Sequence, residues 1–469
     1  MPVMPLDISA QVKKLLPWIV AIAFFMQSLD ATILNIALPS MAADLKVNPL
    51  QMQSAIIAYM LTVALVIPVC GWISDRFGTK KVFFFAVALF TLGSIFCAVA
   101  WSLPVLVTGR VVQGLGGALM MPVGRLVILK VYPRSEFVKV MSFVTIPGLL
   151  GPLLGPTVGG WLVEYFSWHW IFLINVPMGI LGCFVACKFM PDLRGAIRTK
   201  FDFIGFMLFG TAMVMISFAL EGLSELHLPA TFVTLLFVLG FSCFLGYWWH
   251  AFKFEFPLFP PSLFKIRSFS IGIMGNLFAR LGNGSLPFLI PLLLQLALGY
   301  SPAEAGMMMI PTALCAILTK SLVRYIINFF GYRWVLTVNT LLLGLLICSF
   351  SWVDKEMPFL LLLVMLGATG AINSLQFTAM NTVALFQLDD DLASSGNALL
   401  AVVVQLSISF GVAISAILLA YFNGGQPAVS SIEVLPAFQG TFLGVGLFTV
   451  FSAFIFYFLP TQIGMTHKK

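Results

Sequence analysis

The sequence predicts an all-α integral membrane protein of about fourteen spanning helices. Three observations predict it. Of the 469 residues, 60% are hydrophobic and 9% charged, with a mean hydropathy of +1.04, a composition suited to lipid rather than water. The apolar residues fall in runs of roughly 20, the length that crosses a hydrocarbon core. The basic residues collect in alternate joints between those runs, as expected of a chain that crosses a membrane many times.

The first run, near 15 to 38, follows Lys13 and Lys14, yet it holds Asp30 and Asn35 and lacks a small-residue cleavage site. It reads as a retained first helix rather than a leader. Runs near 50 to 73, 82 to 101, 104 to 130, 138 to 162 and 169 to 190 complete a group of six, with rough limits set by hydropathy and turn residues. Two more lie near 203 to 221 and 229 to 251, roughly, and an amphipathic linker runs from Phe252 to Ile266. Six others follow, roughly at 268 to 298, 302 to 326, 334 to 352, 358 to 386, 394 to 421 and 437 to 459. This six, two, six layout divides the chain into a bundle over 1–190, an additional helix pair with its linkers over 191–267, and a second bundle over 268–469.

Charge placement checks the count, because one missed helix would move every later basic joint to the wrong side. One set of joints holds Lys13 and Lys14; Arg76, Lys80 and Lys81; Arg134 and Lys139; Arg194, Arg198 and Lys200; Lys265 and Arg267; Arg333; and Lys468 and Lys469. The other set has only Lys46 and Lys355 as basic residues, beside Asp44, Glu164, Glu221, Glu225, Asp354, Glu356 and Glu433. The basic face is expected to be cytoplasmic, with both termini there, and Asp389-Asp390-Asp391 is an acidic exception on that side. The net charge of +7 therefore sets topology and implies no nucleic-acid partner. Cys70, Cys97, Cys183, Cys187, Cys243, Cys315 and Cys348 all lie in apolar runs without zinc-site or disulfide spacing, and read as packing residues.

The stretch from Gly71 to Lys81 concentrates glycine and charge between two apolar runs. Gly71 and Gly78 suit a tight turn, Asp75 can cap a helix start, and Arg76, Lys80 and Lys81 mark the cytoplasmic face. The stretch resembles the signature loop between helices two and three of the major facilitator superfamily. A weaker echo, Asn328-Phe329-Phe330-Gly331-Tyr332-Arg333, follows the second helix of the second bundle, with Asn328 in place of Asp75. The resemblance implies two parallel bundles with a midplane substrate site between them and a cytoplasmic gate locked mainly by the first copy.

Further motifs are similar to those of the fourteen-helix drug:proton antiporters. They are Leu29-Asp30-Ala31-Thr32-Ile33-Leu34-Asn35 in helix one, Arg110-Val111-Val112-Gln113-Gly114 in helix four, Gly151-Pro152-Leu153-Leu154-Gly155-Pro156 continuing through Gly159 and Gly160 in helix five, and Trp168-His169-Trp170 through Asn175-Val176-Pro177 in helix six. The resemblance implies proton-coupled export, with Gly71, Asp75, Arg76, Gly78, Gly151, Pro152, Gly155, Pro156 and Gly159 in gating. Small residues at such spacing let helices approach closely, so helix five also reads as ordinary packing.

Asp30 is the only acidic residue deep in an apolar run. At 1.5 Å per residue it lies roughly 22 Å above the cytoplasmic start of helix one, and Arg110 roughly 9 Å below the outer start of helix four. In a core about 30 Å thick these depths coincide. A guanidinium near a buried carboxylate favours proton release and its withdrawal favours uptake, so the two residues make a proton-coupling device in outline. The competing reading is a static pair, or a bond from Asp30 to Gln27, that holds helices together.

The other charges inside apolar runs are basic: Arg125, Arg280, Lys320 and Arg324. Arg280, roughly 18 Å into its helix and without an acidic mate in sequence, suits a carboxylate of the cargo. The other three read as snorkelling side chains. Gln27, Gln113, Asn276, Asn373 and Gln376 are candidates to contact the cargo, though buried amides more often tie helices together. Export of an anionic, carboxylate or siderophore-like metabolite is the expectation. Broad efflux of lipophilic drugs is the alternative, since 46 Phe and 22 Met can line an adaptable pocket. A membrane enzyme or sensor is disfavoured by the lack of a phosphate loop, a metal-spaced His set or a soluble domain. A sugar importer is disfavoured by Met190-Pro191-Asp192-Leu193-Arg194 after helix six and by the additional helix pair. The chain is expected to act as an inner-membrane monomer, with lipid, protons and a small molecule as partners and the proton gradient in place of a cofactor.

Overall fold

A computed structural model describes residues 10–194, 201–224, 228–424 and 434–460. Arg198, Lys200, Glu225, Glu433, Lys468 and Lys469 lie outside the described residues, as do the side chains of Arg134, Asp390 and Asp391. The described residues contain thirteen apolar helical stretches long enough to span a membrane and no strand. One of them, Pro302–Trp352, has 51 residues, and at 1.5 Å each it would reach roughly 77 Å, more than twice a bilayer core. It bends at Gly331, whose φ of 75° is open to glycine and rare for other residues. Among the described residues the passes therefore number fourteen.

The first six are α1 (Ala10–Asp44), α2 (Pro49–Phe77), α3 (Thr79–Ala98), α4 (Leu103–Val131), α5 (Arg134–Tyr165) and α6 (Trp170–Phe189). The pair is α7 (Phe203–Ser224) and α8 (Ala230–Lys253). The last six are α9 (Arg267–Ala297), α10 and α11 on either side of Gly331 in Pro302–Trp352, α12 (Phe359–Leu385), α13 (Asp390–Phe422) and α14 (Leu435–Tyr457). Several helices start a few residues before hydropathy places them, because polar first turns such as Thr79-Lys80-Lys81 and Asp390-Asp391 continue the helix past the apolar core. The acids at 389–391 stand at the N-terminus of α13, where the helix dipole favours negative charge.

Two positions depart from the expected local structure. Gly71 is helical within Cys70–Phe77, with open space where a Cβ would point, so the turn belongs to Gly78 alone. Asp75 lies inside that same helix and does not cap α3; its carboxylate is 3.6 Å from Lys130 Nζ on α4. Gly78 has φ 89°, matching Gly331 in the echo, so the two halves share a turn that sequence resemblance shows only weakly.

Core packing shows which face is closed. One buried cluster crosses between the halves at the acidic face, running from Ile33, Ile36 and Leu50 to Leu289, Leu293 and Phe438. Toward the basic face it divides into one cluster confined to the first half, around Phe83 and Met120, and one confined to the second, around Leu336 and Met380. Another cluster joins α7 and α8 to α2, α9 and α13. The added pair thus packs at the flank where the halves meet.

That pair is tied down by a buried acid that hydropathy does not reveal. Asp202, just before α7, lies 2.7 Å from His250 Nε2 and accepts from the backbone of Gly205 (2.8 Å) and Leu258 (3.0 Å). Tyr247 both donates to Phe259 O (3.2 Å) and accepts from its N–H (2.9 Å), holding the linker after α8 against the pair.

Candidate functional site

Asp30, in the middle of α1, meets Arg110 of α4 as the depth estimate requires: Arg110 Nη1 donates to Asp30 Oδ2 at 2.7 Å. Both side chains are shut away from the surface, at 0% and 2% exposure. Residues of α4, α6 and α2 complete the surroundings. Gln113, one turn beyond Arg110 and on the same face, donates to Asp30 Oδ1 at 2.7 Å and accepts from Arg110 Nη1 at 2.6 Å. Asn175 of α6 donates to the same Oδ1 at 3.2 Å. Arg110 Nε donates to Ala55 O of α2 at 3.2 Å, and its guanidinium lies 4.3 Å from the Tyr59 ring centroid.

Small residues make this convergence possible. A Cβ on Gly93 would stand 2.4 Å from the Gln113 backbone nitrogen, and one on Gly116 would stand 2.4 Å from that of Phe90. Only glycine lets α3 and α4 approach so closely that Ser94 Oγ accepts from Gln113 Nε2 at 2.9 Å. Every group bonded to the Asp30 carboxylate is a donor, so the cage as drawn suits the ionised acid, and the guanidinium supplies the countercharge that a buried carboxylate needs. Gln27 makes no bond to Asp30 among the described residues, and its Oε1 and the Tyr59 hydroxyl are both buried there without a hydrogen-bond partner.

The second half holds a cation without an acid. Arg280 of α9 is 3% exposed, and no ion pair among the described residues includes it. Its Nε donates to Asn276 Oδ1 at 2.9 Å, its Nη2 donates to Asn381 Oδ1 at 3.2 Å, and the guanidinium sits 4.5 Å from the Phe377 ring centroid. Nη1 carries no bond among the described residues, which leaves a fork edge for a ligand. Just beyond, α9 breaks after Asn283, resumes at Leu286, and ends in a π-turn over Leu293–Ala297. Asn283 donates to Asn373 across that break. Gln376 points elsewhere: it accepts from Asn339 at 2.8 Å and bonds Thr340, tying α12 to α11. Arg125, Lys320 and Arg324 are exposed.

On the acidic face, Gln295, Thr157 and Glu164 make side-chain bonds that cross between halves. Gln295 in the π-turn donates to Ile36 O (2.9 Å), Thr157 donates to Gly306 O (3.3 Å), and Glu164 accepts from the Ala303 N–H (2.8 Å). The helix-five glycines divide their work. Cβ atoms on Gly151, Gly155 and Gly159 would meet Ser28, Thr32 and Ile33 of α1, within the same half. Gly160 and Pro156 face α10 instead, since a Cβ on Gly160 would lie 2.2 Å from Pro302 O and one on Gly306 2.3 Å from Pro156 O. Pro152 lies with Pro147 and Pro156 inside α5. On the basic face, a Cβ on Gly78 would strike Asp192 Oδ1 at 2.0 Å, Thr79 donates to Pro191 O at 2.8 Å, and the Arg76 guanidinium lies 5.2 Å from the Trp72 ring.

Sequence reasoning did not assign Tyr59, Ser94, Asn175, Phe377 or Glu164. Asn175 had a signal, since it sits in the helix-six motif, but the others are unremarkable polar or aromatic residues whose roles depend on which helices adjoin.

The family profile described as Major Facilitator Superfamily matches residues 20–285 and 272–468. MdtD of Serratia proteamaculans, by name a multidrug resistance protein, is 47% identical over 445 residues, covering 95% of this chain and 93% of its own. Its namesake from Yersinia enterocolitica is 46% identical over 447 residues, with 95% of both chains covered. Among solved structures, a D-xylose-proton symporter superposes with a TM-score of 0.69 at 14% identity, over 96% of this chain and 98% of that one. A bacterial homologue of the human lysosomal transporter Spinster, inward-facing and unoccupied, gives 0.68 at 15% identity, over 96% and 97%. At such identities the superpositions speak for the fold alone.

Proposed function

The chain belongs to the major facilitator superfamily, and we propose that within it the protein is a proton-coupled exporter of small molecules working by alternating access between its halves. It is a multi-pass membrane transporter and not an enzyme. The observation that carries the reading is the Asp30 to Arg110 pair, a titratable acid and its countercharge enclosed in one half at mid-membrane depth. The termini and the basic joints lie in the cytoplasm and the bilayer is the inner membrane, so the state with the acidic face closed opens inward.

In that state Asp30 is ionised against Arg110, having released its proton, and the cargo binds from the cytoplasm. Rocking then opens the acidic face. Arg110 draws back, a proton from outside neutralises Asp30, and the cargo leaves. The cargo is an anion or zwitterion whose carboxylate occupies the free edge of Arg280, with Asn276, Asn373 and Asn381 around it and the exposed Phe377 ring beneath. Gating rests on α5 against α10 at the acidic face, while the Gly78 to Asp192 approach and the Asp75 to Lys130 pair brace the first half at the basic face. The protein acts as a monomer.

The relatives' names favour a second reading, broad efflux of lipophilic compounds, which Phe377 and the Met-rich composition suit. Purified protein in proteoliposomes under an imposed pH gradient, offered citrate-like acids, siderophores and cationic dyes, separates the two. Transport of acids alone supports the anionic cargo, transport of dyes alone supports the second reading, and gradient-independent flux refutes proton coupling.

A further inference from the structure

We propose that Asn175 is a reversible amide that supplies an acceptor for the hydrogen Asp30 gains on protonation, an inference that rests on Asp30 being the proton carrier. Protonation forms an O–H bond on the carboxylate, with the proton supplied by water, and that hydrogen needs an acceptor. The groups now bonded to Asp30 are all donors: Arg110 on Oδ2, and Gln113 and Asn175 on Oδ1. The charged or titratable groups acting on Asp30 are Arg110 of α4, Tyr59 of α2 and Cys97 of α3, and of these only Arg110 bonds to the carboxylate.

Gln113 is held against turning even when Arg110 draws back and frees its Oε1. Its Nε2 also donates to Ser94 Oγ at 2.9 Å, and the hydrogen of that hydroxyl goes to Phe90 O at 2.9 Å. Asn175 is free to do so. Its Nδ2 makes only the longer contacts, 3.2 Å to Asp30 and 3.5 Å to Ser94, while its Oδ1 is buried with no partner among the described residues. A buried carbonyl left unpaired is costly unless another state uses it. A half-turn of the amide presents Oδ1 to the new Asp30 O–H, so one side chain donates to the ionised acid and accepts from the neutral one.

Infrared titration of the purified wild type, Asp30→Asn, Asn175→Ala, Asn175→Leu and Asn175→Ser proteins tests this without knowledge of the cargo. The carbonyl band of the neutral buried acid is assigned as the one absent from Asp30→Asn. Asn175→Ala and Asn175→Leu remove one of three donors to the ionised form and the proposed acceptor of the neutral form. The band should therefore rise in frequency, and its pH midpoint should move toward acid by about one unit, a tenfold loss of proton affinity. Asn175→Ser, whose hydroxyl both donates and accepts, should restore most of the midpoint. A midpoint and frequency unchanged in both Asn175→Ala and Asn175→Leu overturn the amide switch and leave Asp30 as carrier. A wild-type spectrum with no band lost in Asp30→Asn between about pH 4 and 9 overturns the carrier itself, and the switch with it.

Discussion

Gly306→Ala places a methyl group 2.3 Å from Pro156 O, where ordinary contact begins near 3.4 Å, so α10 must withdraw from α5 by about 1 Å. The obstruction is backbone and cannot rotate aside. Overpacking of this kind costs roughly 1–3 kcal/mol. Because α5 and α10 belong to different halves, the cost falls on the state in which the acidic face is closed and vanishes when that face opens. The equilibrium should then move toward the open acidic face by roughly 5- to 150-fold. Gly160→Ala, at 2.2 Å from Pro302 O, should act in the same direction. Nitroxide labels at Lys46→Cys and Lys355→Cys, both exposed on the acidic face in different halves, read the change as growth of a longer-distance population. Cys187 is exposed and is replaced by Ser in the background. Gly155→Ala is the control: its methyl would meet Thr32 Oγ1 at 2.2 Å within one half, so it should lower thermal stability and leave the distances alone. An unchanged distance distribution in folded Gly306→Ala and Gly160→Ala, or an equal change in Gly155→Ala, refutes the reasoning.

Other perturbations bear on the site and on the loops. Asp30→Asn keeps volume and bonding but cannot exchange a proton, so gradient-driven transport in proteoliposomes should fall at least about tenfold while the protein still elutes as one species. Arg110→Lys should reduce coupling too, because an ammonium cannot bond Asp30, Gln113 and Ala55 at once as the guanidinium does; an unchanged pH dependence would favour a static pair. Arg280→Ala should weaken binding of an anionic cargo by roughly 10- to 100-fold in isothermal titration and leave neutral ligands nearly unaffected, whereas equal loss for both would make the arginine structural. Gly78→Ala meets both a φ of 89° and Asp192, and should destabilise the protein by about 1–3 kcal/mol in thermal unfolding, with partial rescue by Asp192→Ala.

Composition and the spacing of apolar runs determine the helix count, because a membrane imposes one length on every pass and forbids unpaired backbone. That is why the six, two, six order and the alternation of basic joints are readable from the chain. The meeting of Asp30 and Arg110 is readable for the same reason, since depth follows from rise per residue and a buried charge must find an opposite one. Which helices adjoin laterally is not written in hydropathy, and the errors follow from that. Asp75 is paired to Lys130 across a helix boundary, Gln376 is taken by Asn339 and Thr340, and the glycines of α5 divide between α1 and α10. Asn175, Ser94 and Tyr59 join the Asp30 cage through contacts of α6, α3 and α2 that no local pattern encodes. The sequence alone determines depth and the alternation of basic and acidic joints, which are one-dimensional quantities along the membrane normal. Only the tertiary structure decides the neighbours in the plane of the bilayer, because lipid is as apolar as the helix surfaces and close packing of small residues, rather than burial from water, selects the partner.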